Sequence, residues 1–125
     1  MDLRSRLGES KLIVAERDGR IVGSVTFYPG DSRRDGGWPD GSAGIRLLAV
    51  HPGSRGLGVG RELVEECLRL CRHSGTATLG LHTRDAMSVA RGMYLRMGFV
   101  PVPEYDFRAN DAFIVEAYRL DVGPA

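Results

Sequence analysis

Residues 50–70 read VHPGSRGLGVGRELVEECLRL, with glycines at 53, 56, 58 and 60 between an apolar run and a stretch of helical periodicity. A loop that only turns the chain needs one or two glycines, whereas Gly56, Gly58 and Gly60 alternate up to and into the start of a helix. Such spacing strips Cβ atoms from one side of the backbone and lets a second molecule approach its N–H groups. A helix N-terminus, with its orphan N–H groups and positive dipole end, is where an anion is held. Beyond the glycines, Val59, Leu63, Val64, Cys67, Leu68 and Cys71 recur as an apolar stripe at helical spacing. Arg61, Glu62, Glu65, Glu66, Arg69 and Arg72 take the other face, which predicts an amphipathic helix.

Working outward, IRLLAV at 45–50 is nearly continuously apolar, as expected of a central strand covered on both faces. LIVAER at 12–17 and RIVGSVTFY at 20–28 flank Asp18-Gly19, a two-residue hairpin signal. Residues 29–44 are rich in glycine, proline and aspartate without an apolar period and predict a long surface loop with Trp38 at its centre. ATLGLHT at 77–83 reads as a strand with Leu79 and Leu81 on one face and Thr78, Gly80 and His82 on the other. Asp85 then caps a helix over 86–97 with Val89, Ala90, Met93 and Met97 inward and Gly98 as its left-handed stop. AFIVEAYRL at 112–120 closes the chain as a strand with Phe113, Val115 and Ala117 on one side. The order predicts an α/β fold, a mixed sheet with helices as crossovers.

The 125 residues suit one domain, 1–125. Seventeen basic residues against sixteen acidic, scattered along the chain, argue against nucleic acid as a partner. No apolar run approaches the roughly 18 residues that span a bilayer, and the first ten residues lack a signal-peptide core, so the expectation is a cytoplasmic protein without a membrane partner. Cys67 and Cys71, four apart on one helix, are expected as buried thiols and not a disulfide. Only His73 is near them in sequence, so no metal site is expected.

Three anion loops compete for the glycine cluster. A Walker loop needs a Gly-Lys pair, and none is present. A dinucleotide fingerprint does not fit Gly56-Leu57-Gly58-Val59-Gly60, whose glycines lie beyond the immediate strand turn. The third fits: LLAVHPGSRGLGVGRELVEECL resembles the acyl-CoA-binding motif of the GNAT family of N-acetyltransferases, Q/R-x-x-G-x-G/A after a strand, with Arg55, Gly58 and Gly60 in its three specified positions. A second segment, ARGMYLRMGFVPV at 90–102, resembles that family's A-x-x-x-Y-x-x-x-G-F helix, and the hairpin resembles its second and third strands, so the resemblance covers about residues 11–120.

The resemblance implies a GNAT-like mixed central sheet flanked by helices, here with the family's N-terminal strand and two helices missing, since about ten residues precede the hairpin. It also implies acetyl-CoA as acyl donor, with no metal. The backbone of Leu48, Ala49 and Val50 would line the pantetheine arm, and Arg55, Gly56, Leu57, Gly58, Val59, Gly60 and Arg61 would hold the pyrophosphate. Many relatives carry an asparagine seven residues before the helix tyrosine, where this chain has Met87. Tyr94 falls at the general-acid position, a phenol able to protonate a departing thiolate. His82 is the candidate base, a strand histidine that titrates near neutrality. Glu104 and Asp106 are weaker candidates.

The acceptor implied is an amine on a small molecule or a peptide, acetylated directly in a ternary complex. The alternative from another class is a non-catalytic acyl-CoA-binding or sensor module. With the leading elements missing, the 12–17 strand becomes an open edge, which predicts a homodimer.

Overall fold

The computed structural model describes residues 2–6, 10–30, 41–84, 88–109 and 113–123. Along the chain these form β1 (Asp2–Arg6), β2 (Lys11–Arg17), β3 (Arg20–Tyr28), β4 (Ser42–Val50), α1 (Val59–Ser74), β5 (Thr78–Arg84), α2 (Ser88–Arg96), β6 (Val100–Pro101), β7 (Phe107–Ala109) and β8 (Phe113–Asp121). One sheet runs in the order β1-β2-β3-β4-β5-β8-β6, with β7 also on β8. Only β4 and β5 pair in parallel among the described strands, joined by α1 as the crossover.

Asp18 and Gly19 take φ of 51° and 77°, the two left-handed residues that a two-residue hairpin of matching twist requires. β2 and β3 accordingly pair antiparallel from Arg17↔Arg20 outward. The predicted stripe of α1 is buried in full, from Val59 to Cys71. It packs onto Ile13, Ala15, Val25, Phe27, Ala43, Ile45, Leu79 and Leu81 from β2 to β5. At about 1.5–3 kcal/mol for each fully buried large side chain, this face is the main stabilising layer of the domain. The helix stops at Gly75, left-handed at φ 74°. Cys67 and Cys71 are free thiols in that layer, as expected.

The structure corrects four expectations. A strand precedes the hairpin: β1 pairs with β2 from Asp2↔Glu16 to Arg6↔Leu12. The edge of β2 is therefore covered, and the argument for a homodimer through that edge falls with it; no helix precedes β2 among the described residues. Val89, expected inward, is 86% exposed, because α2 turns Ala90, Met93, Tyr94 and Met97 to the core instead. β4 starts at Ser42, inside the expected loop, while 31–40 with Trp38 lie outside the described residues, as do Asp85, Ala86 and Met87. β4 is central but not covered on both faces, since Arg46 is exposed and Leu47 is 79% exposed. No helix among the described residues is long and apolar enough to cross a membrane.

Candidate functional site

β4 and β5 share the pairs Ser42↔Thr78 to Ile45↔Leu81 and then part, although β4 continues to Val50 and β5 to Arg84. A bulge accompanies the parting. Between Ser24↔Ala49 and Thr26↔Arg46, two steps along β3 match three along β4, and Leu47 sits at φ 57°. The extra residue bends β4 locally and breaks its register. The His51 N–H donates to the Val22 carbonyl at 2.8 Å. Alternation therefore turns the neighbouring Val50 amide away from β3, into the split. Leu48 and Val50 send their side chains into the helix-covered core, and Ala49 is exposed.

The split leads to the glycine loop. His51 Nδ1 accepts the Gly53 N–H at 3.1 Å and so caps the tight turn Pro52–Ser54. Gly56 and Gly58 follow at φ 79° and 81°, and a Cβ on either would meet nothing within 4 Å. Left-handed backbone demands glycine there, and the space beside it is open. Gly58 is the N-cap of α1 and offers no side-chain cap; the first bonded amide is Glu62 N–H, on the Gly58 carbonyl at 3.0 Å. The amides of Val59, Gly60 and Arg61 have no intrahelical acceptor and point out of the helix end. Arg55, Leu57 and Arg61 are exposed around this end, Arg61 in a surface ion pair with Glu65 at 3.5 Å.

Gly60 differs from the expectation that it faces a ligand. A Cβ there would touch Val50 Cγ2 and Met93 Sδ, both at 3.5 Å, so Gly60 sets the approach of α2 to α1 and β4. Val59 is likewise a core residue, 1% exposed. The loop and helix start thus divide by side-chain space, open beside Gly56 and Gly58 and packed at Val59 and Gly60, while the first-turn amides all point out of the helix end.

Tyr94 is 5% exposed on the helix-covered face, its ring edge-on to Phe99 at 5.6 Å between centroids. Burial, with a smaller contribution from Cys67, pushes its hydroxyl up to about 12, so the phenol stays protonated at working pH. His82 is the first β5 residue past the last pair with β4, and it leaves the sheet on the face opposite Leu81 and Thr83. Its Nε2 lies 3.1 Å from the Tyr105 carbonyl oxygen, and its ring centroid is 5.2 Å from that of Phe107. A carbonyl only accepts, so Nε2 carries the proton and Nδ1 is the basic nitrogen of the neutral ring.

Tyr94 and His82 therefore stand on opposite faces of the sheet. Of the weaker candidates, Asp106 is engaged structurally, its Oδ1 accepting the Ala117 N–H at 2.7 Å; Glu104 is exposed on the neighbouring turn Pro103–Tyr105. Among the described residues no group of His, Cys, Asp and Glu is arranged to hold a metal. Sequence reasoning missed the His51 cap and the β4 bulge. The first had a signal, a histidine just before a Pro-Gly turn; the second had none, because a left-handed leucine is not written in IRLLAV.

The arrangement can receive an elongated molecule with an anionic group at the start of α1 and its chain along the split, the far end lying between a buried phenol and an imidazole. Known proteins share the fold. The acetyltransferase (GNAT) family model matches residues 2–99. Mycothiol acetyltransferase of Cellulomonas flavigena is 36% identical over 105 residues, covering 78% of this chain and 30% of its own length. The chain spans about a third of the length of the curated relatives it matches. Among solved structures, nourseothricin acetyltransferase superposes with a TM-score of 0.76 at 27% identity, over 92% of this chain and 66% of that one. A GNAT acetyltransferase from Elizabethkingia anophelis with acetyl-CoA bound gives 0.71 at 15% identity, over 90% and 76%. The chain belongs to the GNAT family of acetyltransferases.

Proposed function

We propose that this chain moves an acetyl group from acetyl-CoA to an amine by direct transfer in a ternary complex. The observation that carries the reading is the split past Ile45↔Leu81, open at one end onto a helix start with no side-chain cap. The acetyl-CoA in the Elizabethkingia structure of the same fold supports the choice of donor. Acetyl-CoA supplies a thioester whose thiolate an amine can displace: the N–C bond forms, the C–S bond breaks, and one proton passes from the nitrogen to a base while another reaches the sulfur.

Each of this chain's parts has a task in that exchange. The amides of residues 56–61 hold the pyrophosphate, and Arg55 and Arg61 add positive charge nearby. The Val50 N–H in the split polarises the thioester carbonyl. His82 Nδ1 takes the proton from the amine, and the Tyr94 hydroxyl protonates the leaving thiolate. The test is calorimetry with coenzyme A beside a turnover assay with a panel of primary amines on small molecules and peptides. Binding that survives Gly58→Glu unchanged would remove the pyrophosphate site. Tight binding with no turnover of any amine would replace the transferase by an acyl-CoA-binding module.

A further inference from the structure

The backbone amides on either side of Arg55 have opposite fates. The His51 N–H donates to the Val22 carbonyl at 2.8 Å, the Ser54 N–H to the His51 carbonyl at 2.8 Å and the Arg55 N–H to the Pro52 carbonyl at 3.4 Å. Pro52 has no N–H to place. The Gly53 N–H is met by His51 Nδ1 at 3.1 Å. Every amide from 51 to 55 is thus spent within the turn or on β3. From Gly56 to Arg61 none has an acceptor among the described residues, and the next bond is that of the Glu62 N–H on the Gly58 carbonyl. The His51 imidazole is the one side chain in this accounting among the described residues, and it acts just before the free amides begin.

The ring and the turn form one tight unit. A Cβ on Gly53 would stand 3.3 Å from His51 Nδ1, and Ser54 behind it is buried. The unit is tied to β3 at one end and runs into Gly56 at the other. Its bond is conditional, because an imidazole nitrogen accepts only while unprotonated, and imidazole is the side chain that changes charge between pH 5 and 8. We infer that His51 is a positioning residue for the acyl donor, a proton-sensitive latch whose unprotonated Nδ1 holds the Pro52–Ser54 turn and, through it, the direction of the free amides at Gly56 and Gly58. The inference rests on the donor site proposed above and adds its regulation: a proton on Nδ1 and a pyrophosphate at the helix start oppose each other. The charged side chains on the segments joined to the ring are Arg20 on β3, Arg55 at the end of the turn, and Arg61 and Glu62 on the first turn of α1. These move the pH at which the ring charges and leave the sign unchanged, since the Gly53 N–H needs a lone pair. Plain attraction has the opposite sign, because a charged histidine near an anion tightens binding in acid.

The experiment is calorimetry on the whole chain with dephospho-coenzyme A from pH 8 to pH 5. This probe keeps the pyrophosphate diester, ionised throughout, and lacks the 3′-phosphate, a monoester that itself titrates near pH 6. Affinity should fall by about 3- to 10-fold as pH drops, the worth of one hydrogen bond. His51→Asn supplies a carboxamide oxygen that accepts the N–H two residues on, as in an Asx turn, and does not titrate. It should recover the affinity lost in acid and flatten the profile, whereas His51→Ala should bind at every pH as the parent does at pH 5. Tighter binding in acid, or an acid loss that persists in His51→Asn, would overturn the inference. A second arm needs no ligand: in amide NMR spectra of the free chain, Gly53, Gly56 and Gly58 should shift together with the His51 ring as pH falls, and stay still in His51→Asn. If coenzyme A binds at no pH, the donor-site reading falls and this arm alone decides the latch. Movement of Gly53 while Gly56 and Gly58 stay still overturns it.

Discussion

Gly23 lies directly beneath Val59: a Cβ on Gly23 would stand 2.7 Å from Val59 Cγ1, 3.0 Å from the Ala49 carbonyl oxygen and 3.1 Å from Leu63 Cδ1. The first turn of α1 can sit on β3, beside the β4 lip of the split, only because this position has no side chain. Gly23→Ala should cost about 1–3 kcal/mol through overpacking against backbone. It should also weaken coenzyme A binding, since the helix start must shift. Urea unfolding and calorimetry read the two effects, and an unchanged midpoint would mean that the contact is slack.

The glycines of the loop should separate by mutation. Gly58→Ala forces a Cβ into left-handed backbone at φ 81° and should lose about 1–2 kcal/mol. Gly60→Ala meets only ordinary contacts at 3.5 Å, and alanine is the better helix former. Its thermal midpoint should hold or rise, with coenzyme A affinity retained. A collapse of Gly60→Ala would show that α2 cannot yield at Met93.

The α1 face could be read residue by residue because every apolar position of a 3.6-residue stripe met the sheet. The Asp18-Gly19 turn was legible because two left-handed residues in a row leave few alternatives. β1 was not, for DLRSR carries one apolar residue and is a strand only through its ladder with β2, a non-local fact. The site divides the same way. The glycine loop and Tyr94 follow local motifs, whereas the split depends on where two distant strands stop pairing.

Alkaline pH should destabilise the fold in a defined window. Burial raises Cys67 from its ordinary 9.0, takes Cys71 from 9.0 to about 11, and takes Tyr94 from 10.0 to about 12. In each case the unfolded chain ionises first, so the folded state holds more protons across the interval. Stability is therefore full below about pH 9 and is lost as pH rises from 9 to 12. Urea midpoints measured across that range check it, and a thiol reagent at pH 8 should modify neither cysteine until the chain is unfolded.

Tyr94→Phe keeps the ring against Phe99 and removes only the hydroxyl. Coenzyme A should bind normally while turnover falls by about 10²- to 10⁴-fold, the range for a lost general acid. The hydroxyl is held up near 12, so any transfer rate of the unsubstituted chain should show no limb from Tyr94 ionisation below about pH 11. Unchanged turnover in the variant would leave Tyr94 a packing residue.

His82 gives the sharpest test of which side the amine enters. Its Nε2 hydrogen is committed to the Tyr105 carbonyl at 3.1 Å, which orients Nδ1, and the ring is further set by Phe107 at 5.2 Å. His82→Gln retains an N–H donor for Tyr105 and offers no base. Its kcat/KM should fall by about 10²- to 10⁴-fold. The acid limb of the pH–rate profile should disappear, with part of the rate returning as pH rises and more of the amine becomes neutral. Phe107→Ala should produce a milder version of the same profile, because the imidazole remains but loses a wall that holds its angle. If His82→Gln keeps the parent's acid limb and most of its rate, the proton leaves the amine by another route, and the imidazole serves only to pin the Pro103–Tyr105 turn to β5.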